Sequence, residues 1–426
     1  MKRLIILLLV LATIACEMSA RDRINFDKGW RFALVDSVQM SSPEYDDAAW
    51  RLLNVPHDWA IEGDFSASAP SGNSGGALPG GIGWYRKTFN VDKADEGKQL
   101  YIDFDGVYMN AKVWINGTLL GQRPYGYSSF RYDLTPYIIY GGKNVVAVRV
   151  DNSDQPNSRW YSGCGIYRHV WLNKTHMVHV AHWGTHVVAE GNKVKVDVTV
   201  DNPDNVKFTV RNSLLDREGR AVGKSTGLKS VIKVGKPRLW SCESPYVYTV
   251  KTEILVGGNV VDTYTTTTGF RTFKFDAAKG FSLNGKSMKI NGVCQHHDLG
   301  CLGAALNEDA LHRQLRILKE MGVNAVRCSH NPPAPELLAM CDTMGLIVMD
   351  ESFDMWRRRK TQNDYARFFD EWAERDLTDL VLRDRNHPSI LMWSIGNEVL
   401  EQWSSADADN LTAEQANFIQ NVVHDA

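Results

Sequence analysis

The residue best placed to do chemistry is Glu398, which follows a short and almost wholly apolar run at residues 389–395. Such a run is typical of a strand buried on both faces, and it stops at Gly396, so that Asn397 and Glu398 follow its carboxyl end. In parallel α/β folds, ligands bind and polar side chains react at that end of a strand. An acid at this position is costly unless something uses it or pairs with it. Glu398 is therefore the first candidate for a working carboxyl group.

Polar residues also follow three earlier apolar segments, at the point where each segment ends. They are Cys294-Gln295-His296-His297-Asp298, Arg327-Cys328-Ser329-His330-Asn331 and Asp350-Glu351. Because the strands of a (β/α) barrel all end on one face, we expect six side chains to converge on one pocket: His296, Asp298, His330, Glu351, Asn397 and Glu398. The Asp350-Glu351 pair fits either a place in that pocket or a structural ion pair with Arg327.

The two Cys-x-His pairs, Cys294 with His296 and Cys328 with His330, permit a different interpretation. Residues two apart on a strand share a face, so the pairs would suit a zinc site. Structural zinc pairs usually have another spacing, and a barrel accounts for both strands without metal. We therefore predict no metal and no cofactor.

The elements that must position these strand ends alternate between strand and helix. Strands are expected at residues 288–293, 324–328 and 346–350, and helices at 309–321, 334–344, 368–385 and 413–425. In the first helix, Leu311, Leu315 and Leu318 recur at helical spacing. This alternation is typical of a parallel barrel or a doubly wound sheet, and it predicts a partial barrel domain over residues 272–426.

The chain before residue 272 has the pattern of β structure throughout. Short alternating runs separated by turn residues predict a jelly-roll β-sandwich over residues 21–173 and an immunoglobulin-like sandwich over residues 174–271. A stretch rich in aromatic residues and glycines, at residues 158–168, suits either a sugar-facing surface or a loop packed beneath a neighbouring domain.

Composition excludes several partners. A length of 426 residues suggests two to four domains, and a net charge of −2 gives no indication of nucleic acid or an anionic membrane surface. The seven cysteines are spread through the chain and do not form a disulfide framework. The sequence leaves the oligomeric state open.

Residues 1–20 have the features of a signal peptide. Met1-Lys2-Arg3 precedes an apolar run that ends at Ala15, and the run is too short to span a bilayer. We therefore predict export to the periplasm or the cell surface. Cys16 is compatible with a lipid anchor, although Thr13 stands where such signals usually carry Leu.

Three stretches resemble glycoside hydrolase family 2. They are Gly292-Val293-x-x-His296, Asn324-Ala325-Val326-Arg327-Cys328-Ser329-His330-Asn331-Pro332, and Asn386-His387-Pro388 running on to Gly396-Asn397-Glu398. The family contains β-galactosidases, β-glucuronidases and β-mannosidases, built from a jelly roll, an immunoglobulin-like domain and a (β/α)₈ TIM barrel. That order agrees with the pattern above, and the chain would hold the amino-terminal half of the barrel.

The resemblance also implies roles for individual residues. Glu398 matches the family's general acid/base, and Asn397 matches the neighbour that holds the sugar 2-hydroxyl. His296, Asp298 and His330 match positions that contact the sugar. The implied activity is that of a retaining exo-β-glycosidase acting on terminal β-linked sugars, in the first place β-galactosides. β-Glucuronidase is the alternative, and it would need extra basic or amide groups for the sugar carboxylate.

Retaining chemistry needs a second carboxylate about 5–5.5 Å from the first. In the family it lies on the seventh strand, and no residue here matches it. We therefore expect the amino-terminal part of a longer enzyme, inactive alone or able only to bind carbohydrate. The sequence departs from the family pattern at two further places. Residues 350–356 lack the metal ligands found in some β-galactosidases. Residues 158–161 lack the carboxylate that some members contribute from the first domain.

Overall fold

A computed structural model describes residues 21–403 and 408–426. The proposed signal segment with Cys16 lies outside the described residues. Two antiparallel β-sandwiches are followed by a parallel sheet flanked by helices, which confirms the predicted fold class. Within the described part of the chain, no helix combines the length and apolar character needed to cross a membrane.

The first sandwich is built from ten strands. They are β1 (Arg21–Asn25), β2 (Trp30–Ala33), β3 (Arg51–Leu53), β4 (Gly81–Asn90), β5 (Gln99–Phe104), β6 (Ala111–Ile115), β7 (Thr118–Arg123), β8 (Phe130–Asp133), β9 (Lys143–Asn152) and β10 (Val170–Thr175). Strands β1-β10-β5-β8 form one sheet and β3-β2-β4-β9-β6-β7 the other. Alternate residues of β5, Leu100, Ile102 and Phe104, are fully buried in the core between them, as expected for a half-buried strand.

The second sandwich contains seven strands. They are β11 (His179–Glu190), β12 (Lys193–Asp201), β13 (Thr209–Leu215), β14 (Ala221–Thr226), β15 (Lys229–Lys233), β16 (Tyr248–Val256) and β17 (Asn259–Thr268). The sheet β11-β12-β15 packs on the sheet β14-β13-β16-β17. Strand β12 carries the predicted alternation, since Val194, Val196 and Val198 are buried while the lysines and aspartates between them are exposed.

The third unit carries the parallel sheet. It contains β18 (Phe273–Asp276), β19 (Gly280–Leu283), β20 (Lys286–Ser287), β21 (Gly292–Gln295), α1 (Glu308–Glu320), β22 (Ala325–Cys328), α2 (Pro335–Met344), β23 (Ile347–Glu351), α3 (Phe369–Asp384), β24 (Ile390–Ser394) and α4 (Ala408–Asp425). Strands β18 to β20 form a small antiparallel sheet, whereas β21-β22-β23-β24 pair in parallel in chain order. We call this unit the barrel domain.

Two local predictions are wrong. The strand expected at residues 288–293 lies later, at Gly292–Gln295, because Gly292 pairs in register with Ala325 of β22. Strand β24 is not buried on both faces: Ile390 is buried, but Trp393 is half-buried and Met392 is 37% exposed. The physical reason lies in what faces the strand. Within the described part of the chain, the inner face of the four-stranded sheet opens onto a cavity of about 180 Å³, and Met392 lines that cavity.

The first sandwich is joined to the barrel domain by a shared aromatic core. Its members are Tyr108, Tyr125, Tyr127 and Tyr167 from the first sandwich, and Phe353, Tyr365 and Phe369 from the barrel domain. The rings of Tyr125 and Tyr365 lie 4.3 Å apart, and the Tyr125 hydroxyl donates to the Ser352 carbonyl at 2.6 Å. We call this group the interdomain aromatic core; its packing indicates that the two units form one rigid block.

A buried ion pair crosses the same interface. Arg123, at the end of β7, donates to Asp376 at 2.9 Å and to Asp379 at 2.6 Å, and both acids belong to α3. The side chains of Arg123 and Asp376 are each only 1% exposed. The charges therefore depend on each other, because water does not solvate either of them.

Replacing Arg123 with Met should destabilise the chain by about 3–5 kcal/mol, because Asp376 would remain buried without its counter-charge. Urea unfolding followed by tryptophan fluorescence measures the change. Arg220, whose ion pair with Asp216 is 74% exposed on the arginine side, supplies the control Arg220→Met, which should leave the midpoint unchanged. Equal urea midpoints for the two variants would contradict a stabilising role of the buried ion pair.

Candidate active site

Glu351, at the carboxyl end of β23, is the centre of the inner side of the sheet. Its carboxylate accepts from Arg327 at 2.8–3.0 Å and from the Ser394 hydroxyl at 2.6 Å, and His330 Nδ1 lies 2.9 Å from Oε1. The Glu351 side chain is 1% exposed. The structure therefore uses Glu351 as the partner of Arg327, one of the two alternatives that the sequence left open.

Asn397 is buried and held from several directions. Its side-chain oxygen accepts from Arg327 at 2.8 Å, and its amide nitrogen donates to Asp354 at 2.7 Å. Its main-chain nitrogen donates to the Phe353 carbonyl at 2.9 Å. These bonds fix the orientation of the amide, with the oxygen towards the cation and the nitrogen towards the acid.

Asp354, in the loop after β23, joins the two domains at the site. It accepts from Arg159 of the first sandwich at 2.6 and 3.0 Å and from Lys360 at 2.9 Å. Burial alone would raise the pKa of Asp354, but its bonds to Arg159, Asn397 and Lys360 outweigh burial and lower it. The carboxylate is therefore ionised, and it works as a fixed anchor for three donors.

Glu398 is in a different situation from its neighbours. Its side chain is 58% exposed, and it contacts the Arg159 guanidinium at 3.4 Å. Its backbone adopts a φ of +43°, a left-handed conformation that is unusual outside glycine. Such outliers concentrate at functional sites, and here the conformation accompanies a carboxyl group that remains accessible beside a fixed Asn397.

His296 and His330 face each other across one wall of the site. Their rings are 5.4 Å apart and nearly perpendicular, and the Trp160 ring lies 5.2 Å from His296 and 5.4 Å from His330. Trp160 is itself oriented by a 3.0 Å hydrogen bond from its indole nitrogen to the Tyr127 hydroxyl. Burial, and secondarily the nearby His330, lower the pKa of His296. A neutral imidazole can donate at one nitrogen and accept at the other, which suits a sugar hydroxyl.

The structure brings five of the six residues that were expected to converge into one connected set. Glu398 contacts Arg159, Arg159 donates to Asp354, and Asp354 accepts from Asn397. Arg327 donates to both Asn397 and Glu351. Glu351 also contacts His330, whose ring lies against that of His296. Asp298 is the exception. It is half-buried, and its carboxylate accepts a hydrogen bond of 3.4 Å from the main-chain nitrogen of Gly300 in its own loop.

The two Cys-x-His pairs do not form a set of zinc ligands in the described part of the chain. Cys328 is buried, and burial raises the pKa of its thiol well above the usual value, which disfavours the thiolate that zinc needs. Cys294 is exposed and accepts from Arg327 at 3.6 Å. Among residues 21–403 and 408–426, no three His, Cys, Asp or Glu side chains are grouped to hold a metal ion.

Sequence reasoning missed three residues of this set. Arg159 and Trp160 come from the first sandwich, and Asp354 lies in a long loop. The aromatic stretch at residues 158–168 was a signal, and both of its interpretations hold in part: Trp160 and Arg159 reach the site, while Tyr167 packs in the interdomain aromatic core. Where a first-domain carboxylate was sought, the structure has the Arg159 cation.

Three sequence models of one family match the chain in succession. The sugar binding domain of glycosyl hydrolases family 2 matches residues 25–176. The model described as glycosyl hydrolases family 2 matches residues 178–271. The TIM barrel domain of the same family matches residues 276–419. The chain belongs to glycoside hydrolase family 2. The resemblance in the sequence is therefore confirmed at the level of the family.

Relatives within family 2 are similar over nearly the whole chain. Beta-galactosidase BoGH2A from Bacteroides ovatus is 59% identical over 96% of this chain and 50% of its own length. A putative beta-glucuronidase from Formosa agariphila is 44% identical over 92% of this chain and 39% of its own. The crystal structure of a family 2 member from Bacteroides cellulosilyticus superimposes with a TM-score of 0.89 at 40% identity, covering 94% of this chain and 55% of that one. The chain thus spans about half the length of the relatives it matches.

His296 should titrate below its ordinary value of about 6.5 because burial disfavours the imidazolium. NMR of the histidine-labelled chain measures the midpoint, and His330→Gln should raise it by removing the second cause. A midpoint at or above the ordinary value would contradict the enclosed wall formed by Trp160, His296 and His330.

Proposed function

We propose that this chain is the amino-terminal part of an exported, retaining exo-β-glycosidase that acts on terminal β-galactosides. The observation that carries the proposal is the Asn397-Glu398 pair at the end of β24, in which Asn397 is buried and hydrogen-bonded while Glu398 is exposed. The similarity to a protein named a beta-galactosidase, at 59% identity, supports the choice of sugar.

Glu398 acts in this proposal as the general acid/base. It protonates the glycosidic oxygen as the aglycone leaves, and it then takes a proton from the water that attacks the glycosyl-enzyme. The Arg159 guanidinium, 3.4 Å from Oε2, helps to hold the carboxyl group over the site. Proton transfer of this kind contributes about 10²–10⁴-fold to the rate.

The sugar is held by the residues around Glu398. The Asn397 amide meets the 2-hydroxyl, and neutral His296, with His330, meets other hydroxyls against the Trp160 ring. Asp298 is assigned to the sugar by family resemblance. Glu351 is occupied by Arg327, His330 and Ser394, so it does not serve as the nucleophile; we place that second carboxylate in chain that continues past residue 426.

Residues 1–20 act in the same proposal as the export signal, and Cys16 is a candidate lipid anchor. Metabolic labelling with a fatty acid distinguishes an anchored from a released protein. Label that persists in Cys16→Ser would exclude the anchor at this residue.

Glu398→Gln should reduce hydrolysis of a nitrophenyl β-galactoside by about 10²–10⁴-fold in the protein that carries the complete barrel, because the general acid is lost. With a dinitrophenyl leaving group, which departs without a proton, glycosyl-enzyme formation should be much less affected. Pre-steady-state release of the nitrophenol measures this step.

The matched control is Glu374→Gln, which makes the same change at an exposed position of α3. It should retain the original rate with both substrates. Unchanged turnover in Glu398→Gln, or an equal loss of glycosyl-enzyme formation with both leaving groups, would exclude the role of general acid.

Two alternatives have distinct outcomes in the same assays. A β-glucuronidase, the activity named for the Formosa agariphila relative, would prefer a nitrophenyl β-glucuronide over the galactoside. A carbohydrate-binding protein would bind galactose but would not hydrolyse a galactoside. This result would hold for the whole protein that is encoded up to the stop codon. Turnover by residues 1–426 alone would overturn the placement of the nucleophile beyond them.

A further inference from the structure

A second large cavity, of about 420 Å³, lies where the two sandwiches and the barrel domain meet. The first sandwich contributes Arg131 to its wall, the second contributes Trp183 and Tyr264, and the barrel domain contributes Asp384. Its volume falls in the range of about 300–1,000 Å³ that is usual for small-molecule sites.

This cavity lies on the opposite side of the parallel sheet from the candidate active site. Asp350 and Glu351 are neighbours on β23, so their side chains point to opposite faces. Glu351 points to the inner face and binds Arg327, whereas Asp350 points outwards and is buried near Asp384, which lines the cavity. A ligand in the cavity would therefore not touch Glu398.

Most of the charge around the cavity is paired. Its wall carries four arginines, Arg21, Arg23, Arg131 and Arg383, and three aspartates, Asp103, Asp105 and Asp384. Three arginines pair with an aspartate each: Arg21 with Asp262 at 2.9 Å, Arg131 with Asp103 at 2.6 and 2.8 Å, and Arg383 with Asp384 at 2.5 and 2.6 Å. Because three of the four arginines already hold a carboxylate, the wall favours an uncharged ligand that can both donate and accept hydrogen bonds over an anion.

A bulge in β11 supplies the second, independent observation. The register with β12 shifts between Val180 and Thr185, and within that bulge Trp183 adopts a φ of +51°. The rings of His182 and Trp183 stack at 3.8 Å. Bulges that re-aim side chains and strained non-glycine residues are both typical of functional positions.

His182 is half-buried and carries an enclosed polar atom without a hydrogen-bond partner. Its Nε2 is enclosed, and no described residue is within hydrogen-bond distance of it. Burial, with a smaller effect of Arg131, lowers the pKa of His182 to about 3, so the ring is neutral at neutral pH. An orphaned polar atom at the wall of a cavity indicates that a ligand or water occupies it.

We propose that this cavity is a non-catalytic binding site for a neutral saccharide. The apolar C–H face of a sugar ring stacks on Trp183 or Tyr264, and its hydroxyls bond to the paired Arg and Asp side chains, to Thr265 and to His182 Nε2. The site would hold a glycan chain away from the reacting bond and raise its local concentration.

Isothermal titration of the chain with galactose and with lactose tests the proposal. Trp183→Gly removes the aromatic wall and also relieves the positive φ, so folding should be retained. We expect two classes of saccharide sites: Trp183→Gly should weaken one at least tenfold, and Trp160→Ala should weaken the other. The matched control is Asn205→Gly, which also replaces a residue with positive φ in the second sandwich and should leave both classes intact.

Thr265→Val gives a second test that changes only one hydroxyl, and it should weaken the cavity class by about 2–10-fold. If Trp183→Gly fails to fold, Thr265→Val alone tests whether the cavity binds a saccharide. A single class of sites that only Trp160→Ala abolishes would overturn the proposal. Inorganic phosphate that binds in the cavity more tightly than either saccharide would overturn it as well, because the site would then select anions.

Discussion

The packing of the first sandwich against the loop after β23 is the interaction on which the candidate active site depends. The rings of Tyr125 and Tyr365 pack against each other there, and the Tyr125 hydroxyl donates to the carbonyl of Ser352, two residues before Asp354. The same contact places Arg159 on Asp354. A barrel domain without this partner would leave the Asp354 anchor without Arg159 and Glu398 without its neighbouring cation. The site therefore belongs to two domains together.

Acids at the site divide according to their hydrogen bonds. Glu351 and Asp354 are buried and fully engaged, so their charges serve to orient Arg327, Lys360 and Asn397. Glu398 is the acid that remains accessible to a substrate. Carboxylates that already accept several hydrogen bonds hold their donors in place, whereas an accessible carboxyl group can exchange a proton with a substrate.

Strand alternation gives the parallel sheet two polar faces. Side chains of successive residues on β23 point in opposite directions, so Glu351 belongs to the candidate active site and Asp350 to the region of the interdomain cavity. Burial and the neighbouring Asp384 raise the pKa of Asp350 well above its ordinary value. The protonated form of Asp350 is therefore favoured on the outer face of the sheet.

The sequence by itself determined the order of the three units, the parallel strands and the polar residues at their ends, because hydrophobic periodicity and motif spacing are local properties. It predicted His296, His330, Asn397 and Glu398, which the structure joins in one network. It could not predict the exposed inner face of β24, since burial depends on what lies opposite a strand. Only the tertiary structure decided that Glu351 binds Arg327 and that Arg159, Trp160 and Asp354 enter the site. Arg159 and Asp354 are 195 residues apart in the chain, and only the docking of two domains brings them together.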